Sequence, residues 1–173
     1  ADKLKGKVKM NPEEWVVLEQ SIKRLVKAPL YIDETPGITL TEFTAKAKRL
    51  VREKGVKIIF VDYLQLMHSG KPQQGGFSKV QEVTEISNTL KTTAKDLKVP
   101  IIALAQLNRN LMSRAGSNGK PVLSDLKDSG SIEQDADMVI FIHRPGMVGM
   151  SEDLTEAEIL IAKNRSGKVG SIE

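Results

Sequence analysis

The chain has no cysteine, two histidines and 4% aromatic residues among its 173 positions. Without cysteine there is neither a disulfide staple nor thiolate-ligated zinc, and the composition fits a cytoplasmic setting. His68 and His143 stand far apart with no partnering motif, so both read as structural side chains. No apolar run approaches the roughly 18 residues of a membrane helix. The first seven residues carry charge with no apolar core behind it, so they do not read as a secretory signal. A phosphate-cradling loop, Gly-x-x-x-x-Gly-Lys followed by Ser or Thr, is also missing. Gly119-Lys120 runs into Pro121 and Gly167-Lys168 into Val169, and neither has a glycine at the required distance upstream. A nucleotide site built from these residues alone is therefore incomplete.

What is present is the composition of one soluble globular domain: 40% apolar residues, 28% charged residues and a net charge of +4. The excess positive charge tilts modestly towards a polyanionic partner. The organising stretch is Ile58-Ile59-Phe60-Val61 followed at once by Asp62. A β-branched and aromatic run without alternation predicts a strand buried on both faces, as in the middle of a parallel sheet. Around it, Asn11-Pro12 with Glu14 predicts a helix start, with Trp15, Leu18, Ile22 and Leu25 facing inward. Leu30 to Asp33 reads as a short strand. Thr39 and Glu42 form a capping box for a second helix, which Lys54-Gly55 closes. The stripe Val80, Val83, Ile86, Leu90, Ala94 and Leu97 predicts the longest helix. Further strands are expected over 101–105, 138–142 and 158–162, with an incipient one at 171–173. This alternation argues for an α/β layered fold with a largely parallel sheet.

In such sheets ligands gather outside the carboxyl ends of the strands, where Asp62, Gln106, Lys163 and Arg165 are expected. Asp62 either holds a hard cation such as Mg²⁺, or caps the next turn or pairs with a basic neighbour. Gln106 either orients water or senses a phosphate, or makes ordinary loop contacts. Lys163 and Arg165, two residues apart, point to the same side of an extended backbone. They either reach one anion together or sit as solvated cations at a turn. Residues 107–136 show no strong period and carry Arg109, Arg114, Lys120 and Lys127 among Gly116, Gly119 and Gly130. A basic, glycine-bearing loop suits sequence-independent contact with nucleic-acid phosphates; ordinary surface charge is the competing reading.

Four blocks together resemble a known family. They are Ile59-Phe60-Val61-Asp62-Tyr63-Leu64-Gln65-Leu66-Met67, the segment from Val99 to Arg109, the segment from Ser124 to Asp137, and Ala162-Lys163-Asn164-Arg165-Ser166-Gly167. In order and spacing they are similar to the C-terminal RecA-like motor domain of DnaB-type replicative DNA helicases. The resemblance implies a RecA-like P-loop NTPase fold over residues 1–173, truncated on its N-terminal side before the Walker A loop. It implies a cytoplasmic, hexameric, ATP-driven enzyme that encircles single-stranded DNA and works with a primase and a helicase loader. Asp62 would hold the Mg²⁺ of ATP, and Gln106 would sense the γ-phosphate. Lys163 and Arg165 would act across a subunit boundary, Arg165 as an arginine finger. Lys127, Asp128 and Gly130 would contact the DNA backbone in the ring's channel, with Arg109 nearby. The family commonly has Arg-Glu where this chain has Lys127-Asp128, and lysine lacks the bidentate fork. Two alternatives accompany this reading: a fragment of a RecA-like recombinase, or a non-catalytic ring-docking module.

Overall fold

The computed structural model describes Lys3, Lys5 and residues 8–71, 78–107, 119–149 and 151–172; the side chains of 127–129 and 148 lie outside that set. The chain divides into two units, residues 1–35 and 36–173.

In the first unit, helix α1 spans Pro12–Lys27. It starts where the sequence predicts, because Asn11 accepts from the Glu14 N–H at 2.8 Å while the Glu14 carboxylate accepts from the Asn11 N–H at 3.0 Å. Its predicted inward stripe is not buried: Trp15, Ile22 and Leu25 are all exposed. The strand expected at Leu30–Asp33 is also absent. An isolated extended segment without a paired neighbour has no ladder to satisfy its backbone, and no strand among the described residues pairs with it.

In the second unit, α2 (Leu40–Lys54) begins on the predicted Thr39–Glu42 capping box and ends at Gly55, whose φ of 66° suits glycine. Strand β1 (Ile59–Val61) follows, then a 3₁₀ turn at Leu64–Leu66, α3 (Lys79–Leu97) and β2 (Ile101–Ala103). β1 and β2 pair in parallel, with Ile59, Phe60 and Val61 opposite Ile101, Ile102 and Ala103. One face of this pair packs on a core of Leu40, Phe43, Ala47, Leu64, Met67, Ile86 and Leu90. The stripe on α3 supplies Ile86 and Leu90, and α2 supplies Phe43 and Ala47, as their spacing predicts.

The other face corrects the expectation of a strand buried on both sides. Phe60 is 65% exposed, and Ile58, Ile102 and Leu104 are exposed with it. The apolar run correctly marks two apolar faces, but the described helices cover only one.

The C-terminal part forms a second sheet in the order β3-β4-β5, from Met138–His143, Glu158–Asn164 and Gly170–Ile172. Both of its pairings are antiparallel, so parallel order among the described strands is confined to β1 and β2. The five-residue link from β4 to β5 is too short for the crossover that a parallel neighbour requires, and the link from β3 to β4 contains only the 3₁₀ turn at Pro145–Val148 and no α-helix among its described residues. Within the span 107–136, residues 119–136 are more ordered than its lack of period suggested, while 108–118 lie outside the described residues. A 3₁₀ segment (Leu123–Ser129) runs into helix α4 (Gly130–Asp135), and Leu123 and Leu126 pack on Val139, Phe141 and Leu160. Elements this short present too few repeats for periodicity to register.

Candidate active site

Parallel pairing of β1 and β2 puts the carboxyl ends of both strands on one rim. Asp62 follows β1 directly, and Gln106 lies three residues beyond β2. Two backbone bonds carry the ladder past the strands: Leu104 N–H donates to the Val61 carbonyl at 2.9 Å, and Leu64 N–H donates to the Leu104 carbonyl at 2.9 Å. Gln65 then locks the rim. Its carboxamide donates to the Gln106 carbonyl at 3.2 Å and accepts from the Gln106 N–H at 3.3 Å. A side-chain amide reproducing a backbone pair in this way leaves the Gln106 side chain free to project. The sequence reading missed Gln65, although its place in the turn after Asp62 was a usable signal.

Asp62 is exposed and, among the described residues, makes no hydrogen bond or ion pair, nor does the Gln106 carboxamide. The reading of Asp62 as a cap for the next turn therefore fails, since the 3₁₀ turn at Leu64–Leu66 has no side-chain cap. No group of three or more potential ligands occurs among the described residues. A single free carboxylate on an exposed rim fits Mg²⁺, which keeps several waters and takes its remaining ligands from phosphate oxygens.

Lys163 and Arg165 form a second group. Lys163 lies within β4 rather than after it, and Arg165 starts the turn that follows. Val139 faces Lys163 while Ile140 faces Ile161, so Ala162 is the extra residue of a β-bulge. Glu158 and Leu160 lie opposite the buried His143 and Phe141. Simple alternation would send Lys163 and Arg165 to the opposite face. The bulge instead returns Lys163 to the side of buried Val139, beneath α4. There the Lys163 ammonium donates to the carbonyls of Glu133 and Gln134, the latter at 3.3 Å. The Arg165 guanidinium donates to the Gln134 carbonyl at 2.5 Å. Cations on the last carbonyls of a helix satisfy orphan acceptors and favour its dipole. The two side chains do share a side, as their spacing predicts. Both cap α4, although Arg165 remains half exposed there.

Asp137 completes this group, and the sequence reading had not singled it out. Its carbonyl accepts from the Arg165 N–H at 2.9 Å, and its carboxylate takes a hydrogen bond from Lys91 of α3 and lies 3.8 Å from Arg165. The Lys91 hydrogen bond holds the Asp137 carboxyl below the usual carboxylate range, against a smaller upward push from burial; the charges of Lys91, Arg165 and Lys95 add to the lowering. Among the described residues no hydrogen bond or ion pair joins Asp62 or Gln106 to this second group.

Lys127 and Asp128 lie in the 3₁₀ segment and Gly130 opens α4. The side chains of Lys127 and Asp128, and the whole of Arg109, lie outside the described residues. The segment is held at its N-terminal end. Asp125 accepts from the Val122 N–H at 2.7 Å, and Lys120 pairs with Glu158 at 2.7 Å. Hydrogen bonding from Lys120 lowers the Glu158 pKa, outweighing the upward push of burial, with Ser171 and His143 assisting. A carboxyl depressed in the folded state adds stability above its unfolded value of about 4.3, and loses it as pH falls through the folded value. Thermal melts between about pH 6 and pH 3 should therefore show acid destabilisation that Glu158→Gln makes shallower. Parallel curves for the two proteins would remove the assignment.

A mixed α/β domain with a free acid and a glutamine on one strand rim has the layout of the RecA-like ATPase class. The comparisons with known proteins narrow it. A model described as the DnaB-like helicase C terminal domain matches residues 1–173, and the chain belongs to that family. It is 43% identical over 165 residues to the replicative DNA helicase DnaB of Mycobacterium intracellulare, covering 95% of this chain and 28% of that protein. It is 43% identical over 167 residues to the Geobacillus stearothermophilus protein of the same name, covering 95% of this chain and 36% of that one. The chain thus spans about a third of the length of such relatives. Among solved structures, one described as an ATPase domain superposes with a TM-score of 0.88 at 33% identity, over 99% of this chain and 60% of that one. A DnaB-like replicative helicase, described with its interactions with primase, superposes with a TM-score of 0.84 at 33% identity, over 95% of this chain and 39% of that one. No helix among the described residues is long and apolar enough to cross a membrane.

Proposed function

We propose that this chain is the Walker B-to-finger portion of a replicative helicase motor, a cytoplasmic protein that couples ATP hydrolysis to translocation on single-stranded DNA and duplex unwinding. The observation that carries this reading is the shared rim of Asp62 and Gln106, both with side chains free of described partners. Mg²⁺ bound to ATP, when present, neutralises charge developing on the transferred phosphoryl group. Asp62 would hold that ion and Gln106 would sense the γ-phosphate, its backbone being held by Gln65. Arg165 supplies a planar cation to a nucleotide across a subunit boundary in a homo-hexamer, with Lys163 beside it. Lys127, Asp128 and Gly130, together with Arg109, contribute to contact with the DNA backbone in the central channel. Primase and a helicase loader are the protein partners. Family membership favours this reading over a recombinase fragment or a docking module.

In a subunit that includes a Walker A loop, single-stranded DNA should stimulate ATP turnover, whereas the 173-residue chain alone should hydrolyse little or none. Appreciable turnover by the chain alone, abolished by Asp62→Ala, would overturn this division. For the channel role, Lys127→Ala should weaken single-strand binding and reduce the slope of log affinity against log salt by about 1. An unchanged slope in fluorescence anisotropy would exclude a phosphate contact from Lys127.

A further inference from the structure

Arg165 sits in a turn on a long flexible side chain, so its usefulness as a finger depends on what holds it. Three contacts do so. Its backbone N–H is fixed to the Asp137 carbonyl, one end of its guanidinium donates to Gln134, and the other faces an Asp137 carboxylate oxygen. The other Asp137 oxygen accepts from Lys91. Lys91 is 20% exposed and follows Leu90 of the core cluster on α3, which makes it a rigid mount. Asp137 thus uses one oxygen on the scaffold and one on Arg165. It leads directly into β3, whose first residue faces Asn164, so main chain and side chain of Asp137 both address the β4 turn.

We propose that Asp137, anchored by Lys91, is the positioning residue for Arg165. It sets the angle at which the guanidinium leaves the turn and keeps it beside the end of α4, ready for an anion. This rests on the finger reading of Arg165 above. A neutral amide in place of the carboxylate keeps the shape but loses the charge that holds both cations. The Arg165 backbone bond survives, so the turn should persist while the guanidinium, held by the Gln134 carbonyl alone, pivots about that single contact.

The test measures DNA-stimulated ATP turnover in the subunit that includes the Walker A loop. Asp137→Asn and Lys91→Met should each lower kcat about tenfold with KM for ATP unchanged, since a misplaced group costs transition-state stabilisation rather than substrate binding. Because both act through one side chain, the double variant should be no slower than the slower single one. Arg165→Ala sets the floor. If Arg165→Ala loses turnover while Asp137→Asn and Lys91→Met keep it and merely melt at lower temperature, the ion pair is structural and the positioning role is wrong, though the finger stands. If Arg165→Ala itself has no effect, finger and positioning role fall together. Should Asp137→Asn fail to fold, Lys91→Met decides by the same criteria.

Discussion

Replacing Arg165 by alanine in a subunit with a complete ATP site should cut turnover by about three orders of magnitude, the usual scale for an arginine finger. The fold should survive. The guanidinium is half exposed, its 3.8 Å approach to Asp137 is a solvent-screened pair, and the Arg165 backbone bond to Asp137 does not involve the side chain. What remains to be lost is one hydrogen bond to the end of α4, part of whose cap Lys163 still provides. A large kinetic effect with a small shift in melting temperature is thus expected. Arg165→Lys should recover only part of the rate, because an ammonium lacks the planar fork that matches phosphate oxygens. Steady-state ATPase and strand-displacement assays beside thermal melts would check this. Wild-type turnover in the alanine variant would remove the finger assignment.

Asp62→Asn should have the second largest effect, lowering turnover about a hundredfold or more at ordinary Mg²⁺ concentrations, since metal-borne charge stabilisation contributes several kcal/mol. The substitution keeps the shape of the side chain and removes only its charge. Asp62 has no partner among the described residues, so no ion pair or cap is lost and the rim should keep its structure. The diagnostic measurement is a Mg²⁺ titration of the ATPase. The variant should need far more Mg²⁺ for half-maximal rate, whereas an unchanged midpoint would mean that the carboxylate does not serve the ion. Gln65→Ala offers a contrast within the same rim, because it loosens the Gln106 backbone without touching the charge.

The parts of this molecule that were legible in its sequence are those made by near neighbours. The starts of α1 and α2 follow from reciprocal bonds between residues three apart, and the end of α2 follows from Gly55. The rim acid was legible because an apolar run stops at Asp62. The common side of Lys163 and Arg165 agrees with their two-residue spacing, although Arg165 already lies in the turn after β4. The roles assigned to these residues came from family resemblance, and family membership is what the comparisons bear out. Strand direction was not legible beyond β1 and β2, and neither was the strand expected at Leu30–Asp33, which depends on a neighbour to pair with.

By itself, then, the sequence determined where the principal helices begin, which surfaces are apolar and that an acid follows β1. Those outcomes depend on contacts within one helical turn or one strand. Only the tertiary structure decided that a bulge at Ala162 aims Lys163 at α4, that Gln65 steadies Gln106 from 41 residues away, and that Asp137 joins Lys91 to Arg165. It also decided that one face of β1 and β2 is covered and the other is not. Each of these depends on which distant segment lies alongside, and a residue's chemistry is compatible with many such neighbours until packing selects one.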